Sequence, residues 1–310
     1  MTNEASRPSP GSGSTSLGVA IPTTGSLPLA LGIAEMSQAA EESGAHSLWV
    51  SDHLLMVASD ASRYPYSRDG RITWPLEEDY FEALVSCCFI AAATTRARVG
   101  TAVLVLPQRN ALELAKLTAS IDQFSGGRFV LGVGAGWNVS EMQALGYDFG
   151  RRGDRMDEMI QVLRFCWTGR PEPFPGKHVQ LPDGLIFFPK PVRSEGPPIL
   201  VGGMSRPALR RAARFGDGWL GLAFADRFAR NDLVERLQLV EGLRHQYRQD
   251  VRFRTVIKVH TRPEESQLIP RLVRECQDIG FDEVIIQPPW ARGVKAATEA
   301  IEGALAIVSQ

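Results

Sequence analysis

The sequence predicts an α/β chain that closes into an eight-stranded (β/α)8 TIM barrel, with an open, doubly wound sheet as the alternative architecture. Eight short runs of β-branched and apolar residues alternate with longer stretches of helical period. Such alternation is typical of a parallel sheet with right-handed crossovers. The chain has 310 residues, a length at which α/β barrels commonly form one domain. We therefore expect one barrel domain over residues 17–310, preceded by a disordered Ser-, Gly- and Pro-rich tail over residues 1–16.

Each predicted strand is a short apolar run, and turn or polar residues bound it on both sides. In chain order the strands are expected at residues 17–21, 47–51, 99–104, 129–133, 198–201, 219–222, 255–259 and 283–286. The stretches between them repeat apolar residues at helical spacing. In the same order the helices are expected at residues 30–43, 80–94, 111–124, 140–145 with 154–167, 206–215, 227–249, 264–279 and 296–307.

Two insertions interrupt this regular spacing. Residues 54–79 follow the second strand and form a long, aromatic loop, which is typical of a functional lid or of a disordered segment. Residues 170–197 precede the fifth strand, and there the stretch KHVQLPDGLIFFPKP predicts a hairpin. Its turn is expected at Pro182-Asp183-Gly184, with HVQL and LIFF as the two arms.

Composition excludes several classes of function. Lys plus Arg number 34 and Asp plus Glu number 35, so the net charge of −1 argues against a nucleic-acid-binding protein. The four cysteines lack the spacing of a disulfide framework or a zinc site, which favours free thiols in a reducing compartment. The histidines show no metal-binding pattern. With no signal-type apolar region and no apolar stretch long enough to span a bilayer, we expect a cytoplasmic protein without membrane contact.

The second and third predicted strands end in residues suited to a reaction site. Asp52-His53 closes the run SLWVSDH, at the barrel end where βα loops carry catalytic residues. A histidine there can transfer a proton near neutral pH, or it can be an ordinary loop residue bonded to Asp52. In the third strand, the small residues Gly100, Thr101 and Ala102 would let a flat ring approach the backbone, or would simply suit barrel packing.

The fourth and fifth strands end in glycine-rich turns. Gly132, Gly134 and Gly136 alternate as GxGxG, which lacks the spacing of a dinucleotide fingerprint and instead indicates a bare backbone face before Trp137. After the fifth strand, Gly202-Gly203 precede Ser205, a good helix N-cap. Such a turn binds phosphate well, although it is also compatible with an ordinary capped βα turn.

Together these strand ends resemble the bacterial luciferase-like monooxygenase superfamily, including its branch of oxidoreductases that use the deazaflavin coenzyme F420. The resemblance spans roughly residues 46–220. It is carried, in order, by the stretches SLWVSDHLL, ARVGTAVLVLP, LAKLTASIDQFSGGRFVLGVGAGWNVSEMQALG, RRGDRMDEMIQVLRFCW, FFPKPV and ILVGGMSRPALRRAARFGDGW.

The resemblance implies a TIM barrel that holds a flavin-type ring in its mouth. The cofactor phosphate would lie at Gly202, Gly203, Met204 and Ser205. The ring would lie against Thr101, Ala102 and Val103, with a non-prolyl cis peptide between the last two. Gly134, Ala135 and Gly136 would face the cofactor, while Asp52 and His53 would flank the reacting centre as catalytic residues.

One position departs from the family pattern. Sugar-phosphate dehydrogenases of the deazaflavin branch carry a glutamate directly after the GxGxG turn, where this chain has Trp137. This argues against sugar-phosphate oxidation and favours a bulkier, less charged substrate. The substrate pocket is expected to be shaped by five aromatic residues, namely Tyr64, Trp74, Trp137, Phe224 and Trp290.

Three functions follow as hypotheses. The first is hydride transfer between coenzyme F420 and a small organic substrate. The second is an FMNH2-dependent two-component monooxygenase, which needs a separate reductase to supply the reduced flavin. The third is a cofactor-binding protein without turnover. The resemblance also implies a homodimer formed through the helices predicted at residues 80–94 and 111–124. The first of these helices is apolar on nearly all faces, so it needs to be buried all round, which a lone outer helix of a barrel is not.

Overall fold

A closed parallel barrel forms the centre of the structure, a computed structural model that describes residues 15–58, 62–67, 69–72, 74–247 and 252–310. The barrel strands are β1 (Ser16–Ala20), β2 (Ser47–Val50), β3 (Arg98–Thr101) with its continuation β4 (Leu104–Val105), β5 (Phe129–Gly134), β8 (Ile199–Gly202), β9 (Gly218–Phe224), β10 (Arg254–His260) and β11 (Glu283–Ile286). They pair in the order β3-β2-β1-β11-β10-β9-β8-β5, and pairing of β3 with β5 closes the ring. The predicted (β/α)8 barrel is confirmed.

The start of the barrel lies one residue inside the predicted tail. Residues 1–14 of that tail lie outside the described residues. Ser16 already pairs with Glu283 as the first residue of β1.

The third barrel strand is interrupted, whereas the sequence predicted one continuous run over residues 99–104. β3 ends at Thr101 and β4 resumes at Leu104. The peptide bond between Ala102 and Val103 is cis, as the resemblance implied.

The helices surround the barrel. They are α1 (Ile33–Glu42), α2 (Ala83–Ala93), α3 (Ala111–Phe124), α4 (Val139–Ala144), α5 (Arg152–Trp167), α6 (Arg206–Phe215), α7 (Arg230–Tyr247), α8 (Ile269–Ile279) and α9 (Val294–Val308). The predicted bounds of α3 and α6 match the structure at both ends. Each of these helices begins at a side-chain N-cap. Asn110 accepts hydrogen bonds from the backbone of Leu112 and Glu113, and Ser205 accepts one from Ala208. Among the described residues, none of these helices is long and apolar enough to cross a bilayer.

The barrel interior is packed with side chains and is not an open channel. Its inner layer comprises Ala20, Trp49, Ala102, Val130, Leu200, Leu220, Val256 and Ile285. A second, larger core lies between the strands and the surrounding helices. Because the interior is filled, a ligand site must lie above this layer, at the carboxyl ends of the strands.

The hairpin predicted before the fifth strand forms in part, because residues of its HVQL arm pair with Phe174–Pro175 and not with LIFF. Strands β6 (Phe174–Pro175) and β7 (Gln180–Leu181) pair antiparallel, so the turn lies over residues 176–179. The Glu158 carboxylate accepts hydrogen bonds from the backbone N–H groups of that turn. The predicted LIFF arm is unpaired, because its Phe187 is buried and its N–H donates to the Gly169 carbonyl.

Candidate active site

His53 and Glu141 form a buried pair at the barrel mouth. Nδ1 of His53 lies 2.8 Å from Oε2 of Glu141, whose side chain is 1% exposed. Glu141 stands in the first turn of α4, where the Asn138 cap accepts a hydrogen bond from its backbone N–H. Its other carboxylate oxygen, Oε1, accepts hydrogen bonds from the Leu54 N–H and the Gln108 amide.

These contacts set the charge of Glu141. Burial raises the pKa of its carboxyl, but the hydrogen bonds from His53, Leu54 and Gln108 and the nearby imidazole outweigh burial. The net result is a pKa below the usual value, so Glu141 stays ionised at neutral pH. A carboxylate at Nδ1 makes that nitrogen the donor and leaves Nε2 of His53 as the nitrogen that can accept a proton.

Asp52 makes no hydrogen bond to His53, and its carboxylate is engaged by Arg109 and a backbone N–H, although His53 lies close enough to lower its pKa. Its Oδ1 lies 2.6 Å from Nη2 of Arg109, and its Oδ2 accepts a hydrogen bond of 2.8 Å from the Val105 N–H. Burial raises the pKa of Asp52, and Arg109 and the Val105 N–H counteract this only in part. Because both oxygens are engaged, Asp52 anchors β4, the segment that follows the cis peptide bond.

Gly134 and Gly136 of the GxGxG run, together with Gly202 at the end of β8, leave room for the side chains of Val103 and Val105. A Cβ atom at Gly134 or Gly202 would lie 2.6 or 2.5 Å from a methyl group of Val103. At Gly136, where φ is +80°, a Cβ would lie 2.6 Å from Val105. The expected bare backbone face is therefore largely covered by Val103, and only from Ala135 onward does the turn become accessible.

Thr101 has no free hydroxyl for a ligand. It is fully buried, and its Oγ1 donates to the Gly132 carbonyl at 2.7 Å. Of the three residues predicted to contact the ring, Ala102 and Val103 thus remain the ones nearest the mouth.

The turn from β8 to α6 presents an amino-terminal helix end at the surface. Gly203 has φ +122°, and a Cβ there would lie 2.9 Å from Ala208. The Arg236 guanidinium donates to the Met204 carbonyl and holds the turn in place. Arg206 and Arg210 are exposed and make no ion pair with another described residue. A turn with these features suits an anion such as phosphate.

Aromatic rings line the mouth. Trp74, Tyr80 and Trp137 surround His53 with ring-centre distances of 6.1, 5.4 and 5.5 Å. Tyr64 contacts both Trp74 and Trp137 at 5.1 Å. Burial raises the pKa of Tyr64 to about 12. The loop over residues 54–79 thus supplies Tyr64 and Trp74 to the site, as the sequence predicted.

A second aromatic group continues across the mouth. Tyr66 packs against Phe224, and Phe224 packs against His260 at 5.3 Å. Phe224 therefore lies at the mouth as expected. Trp290 does not join these residues, because it is 2% exposed and its indole N–H donates to the Ala20 carbonyl. It is part of the core rather than of an open pocket.

Lys258 is the most unusual charged residue at the mouth. Its Nζ lies 3.2 Å from Oγ of Ser51 and 3.3 Å from the carbonyl oxygen of Ala102, at the cis peptide bond. Burial lowers the pKa of Lys258 to about 8. An amine this close to the expected ring site is a functional-site candidate.

Sequence reasoning missed Glu141, Lys258 and Arg109. Glu141 lies 88 residues from His53, so no local pattern joins them. Lys258 did carry a signal, because it stands in the middle of the strand RTVIKVH, on the side of Val256 that faces the barrel interior. Charged residues are rarely placed inside a barrel without a partner or a function.

Comparison with known proteins bears on the family and the fold of this chain. The family described as luciferase-like monooxygenase matches residues 17–269. An uncharacterized protein of Mycobacterium tuberculosis is 35% identical over 185 residues, which cover 60% of this chain and 63% of that protein. The chain therefore aligns with less than two thirds of this relative.

Two relatives with described activities use different cofactors. The F420-dependent glucose-6-phosphate dehydrogenase of Amycolatopsis mediterranei is 30% identical over 193 residues, covering 61% of this chain and 52% of the relative. The FMNH2-dependent dimethylsulfone monooxygenase of Pseudomonas putida is 37% identical over 131 residues, covering 41% and 36%.

Solved structures share the fold. An F420-dependent secondary alcohol dehydrogenase superposes with a TM-score of 0.72 at 18% identity, over 94% of this chain and 99% of that chain. The FMN-bound oxygenating constituent of 3,6-diketocamphane monooxygenase from Pseudomonas putida gives 0.67 at 13% identity, over 94% and 96%. At these identities the likeness is one of fold.

Proposed function

This chain belongs to the luciferase-like monooxygenase family, and we propose that it is an oxidoreductase that transfers hydride between coenzyme F420 and a small organic substrate. The observation that carries this proposal is the buried His53–Glu141 pair, in which Glu141 engages Nδ1 of His53 and Nε2 has no hydrogen bond to a described residue. Hydride transfer to or from an organic substrate is accompanied by a proton, and this pair is suited to move it.

The residues at the mouth fit such a cofactor. The turn of Gly202, Gly203, Met204 and Ser205, which becomes exposed at Ser205, would hold its phosphate, with Arg206 and Arg210 nearby. The segment Ala102–Val103 would support the ring, and Ala135 and Gly136 would lie beside the cofactor. Trp74 offers an indole N–H that is buried without a partner among the described residues, as expected of a donor that meets a ligand. When bound, the coenzyme would supply a hydride donor or acceptor at carbon 5 of its ring.

His53 would act as the acid or base. Glu141 holds the Nδ1–H and stabilises the imidazolium that forms when Nε2 accepts a proton. In the reverse direction the same nitrogen returns the proton to the substrate. Asp52 would have a positioning role, since it fixes the segment after Val103 through Val105.

The second candidate is an FMNH2-dependent monooxygenase, and the aromatic enclosure favours it. Tyr64, Trp74 and Trp137 are half-buried rings that pack on one another beside His53, and oxygen chemistry on a reduced flavin needs shielding from water of the kind such rings provide. This alternative would need a separate reductase as partner. The four free cysteines suit a reducing compartment, so we propose a cytoplasmic location.

We further propose a homodimer formed through α2 and α3. Val85 and Phe89 of α2 are 56% and 61% exposed, and Leu117 and Phe124 of α3 are 49% and 87% exposed. Large apolar side chains grouped in this way commonly mark an interface. Phe89→Glu should convert the dimer to monomers near 34.0 kDa in light scattering. A wild-type mass already at that value would contradict the dimer.

Cofactor titration tests the main proposal. Oxidised F420 and FMN are each added to the protein, and ring fluorescence reports binding. We expect F420 to bind more tightly, while the reverse order would favour the monooxygenase.

Gly203→Glu is the matching variant, because it places a side chain and a negative charge where the phosphate must lie. Gly242→Glu is its control, since a Cβ there meets no atom within 4 Å. Binding should be abolished only in the first variant. Unchanged affinity in both would place the phosphate elsewhere.

A further inference from the structure

Lys258 is a charged residue at the barrel mouth that lacks an ion-pair partner among the described residues. Glu141 is paired with His53, and Arg109 is paired with both Asp52 and Glu82. Within the described part of the chain, Lys258 has no carboxylate at ion-pair distance, and its contacts are the neutral oxygens of Ser51 and Ala102. Lys258 is half-buried, and an ammonium in such a position without a carboxylate partner is suited to meet a ligand that carries negative charge.

The position of Lys258 makes a ligand the natural counter-charge. Val256 belongs to the inner layer of the barrel. Lys258 follows it by two residues on the same strand, so its side chain points to the same interior, one layer nearer the mouth. Ser51 lies between β2 and the Asp52-His53 pair, and it also bonds to the hydroxyl of Tyr80. Two donors, Nζ of Lys258 and Oγ of Ser51, therefore meet beside the acid–base pair.

We propose that Lys258 and Ser51 form an oxyanion site, which binds a singly charged ligand oxygen at the base of the mouth. This inference rests on the proposed function and adds the charge of the bound species. The oxygen can come from two sources, namely the ring of the reduced, anionic cofactor or a carboxylate or enolate group of the substrate.

The first experiment measures acetate binding to the ligand-free protein at constant ionic strength, read from the fluorescence of the mouth tryptophans. Lys258→Met removes the charge and keeps most of the side-chain length. Lys295→Met is the control, because Lys295 is 91% exposed. Wild type and control should saturate with acetate, whereas Lys258→Met should bind it about 10–100-fold more weakly.

The second experiment separates the two sources. The acetate titration is repeated with oxidised cofactor bound, and the affinities for oxidised and reduced cofactor are compared anaerobically. If the ring supplies the oxygen, acetate competes with the cofactor, and Lys258→Met weakens binding of the reduced form by about 10–100-fold with little effect on the oxidised form. If the substrate supplies it, acetate binds alongside the cofactor and both cofactor affinities stay unchanged in the variant.

One result overturns the site. If acetate binding and reduced-cofactor binding are the same in wild type and Lys258→Met, no oxyanion is bound there. Ser51→Ala provides a second variant should Lys258→Met fail to fold by circular dichroism. Because the acetate arm needs no cofactor, it still decides this inference if neither cofactor binds and the proposed function fails.

Discussion

The amino-terminal and carboxyl-terminal ends of the barrel both contain buried charged groups, but they satisfy them differently. At the amino-terminal end, the Glu283 side chain is fully buried. Its Oε1 accepts hydrogen bonds from Ser47 and Trp49, and its Oε2 lies 2.7 Å from Nη2 of Arg254. A Cβ at Gly18 would lie within 2.8 Å of three of these side chains, so the glycine there gives the network its room.

At the carboxyl-terminal end, by contrast, the polar groups retain unused capacity. Nε2 of His53 has no hydrogen bond to any described residue, and Lys258 meets neutral oxygens alone. A completed network contributes stability, and an incomplete one provides groups for a ligand. The polar groups at the amino-terminal end of the barrel thus stabilise the fold, and those at the carboxyl-terminal end are available for chemistry.

The largest expected effect tests the chemical end. His53→Ala should lower turnover by about 10²–10⁴-fold and leave cofactor affinity nearly intact, because the acid–base group is lost while the binding turn is not. His245→Ala, an exposed histidine of α7, is the control. Joint loss of binding and turnover would mean that His53 only stacks near the cofactor, and full activity would make it a loop residue.

The next effect tests the structural end. Glu283→Gln should lower the free energy of unfolding by about 3 kcal/mol, because it leaves Arg254 without its buried counter-charge. Denaturant unfolding measures this, and Glu299→Gln on the exposed face of α9 should change it by less than about 0.5 kcal/mol. Cofactor affinity of the folded variant should be unaltered. A large loss of cofactor affinity would contradict the view that the Glu283 network serves stability alone.

Lys258→Met should raise the free energy of unfolding, whereas Glu283→Gln should lower it. Burial lowers the pKa of Lys258 to about 8 from 10.5, so the charged form is unfavourable in the folded protein. Its removal should stabilise the ligand-free protein by about 2–3 kcal/mol below pH 8. This gain should shrink between pH 8 and about 10.5, where the folded protein has lost the charge and the unfolded chain still holds it. Above about 10.5 it should vanish, since neither state is charged.

Few other groups complicate this titration. His260 lies on the same strand, and burial with the nearby Lys258 lowers its pKa to about 4, so it is neutral in the relevant range. Tyr80, bonded to Ser51, has a pKa raised far above that range by burial. Thermal unfolding across pH checks the prediction. Destabilisation by Lys258→Met at pH 7 would show that the amine has a counter-charge after all.

The smallest effect concerns pocket shape. Trp137→Phe keeps an aromatic ring beside His53 but removes part of its area, so KM for the substrate should rise by less than about 10-fold. Turnover and stability should stay close to those of wild type. A fall in kcat comparable to that of His53→Ala would place Trp137 in the chemistry itself.

Much of the barrel could be predicted because its signals are local. The N-caps of α3 and α6 and the apolar run Val284–Ile286 each depend on adjacent residues. The contact between His53 and Glu141 depends on a turn after β5 and a loop after β2, which only the closed barrel brings together. Likewise, the sequence contains Asp52 but gives no sign that its carboxylate pairs with Arg109. The prediction of the hairpin turn was wrong because Gly184 suits a turn as well as Gly176 does. Glu158, whose carboxylate caps the observed turn, lies far from both glycines in the sequence.

The loop over residues 54–79 is held at both ends by hydrogen bonds to residues outside the predicted substrate pocket. The Leu54 N–H bonds to Glu141 at one end. At the other, Tyr80 pairs with Thr24, and the Phe81 N–H donates to the Thr23 carbonyl. Between these attachments, one contiguous stretch contributes Tyr64, Tyr66 and Trp74. Such an arrangement behaves as an exchangeable module, so evolution or recombination could replace this stretch and alter substrate range while the acid–base pair stays in place.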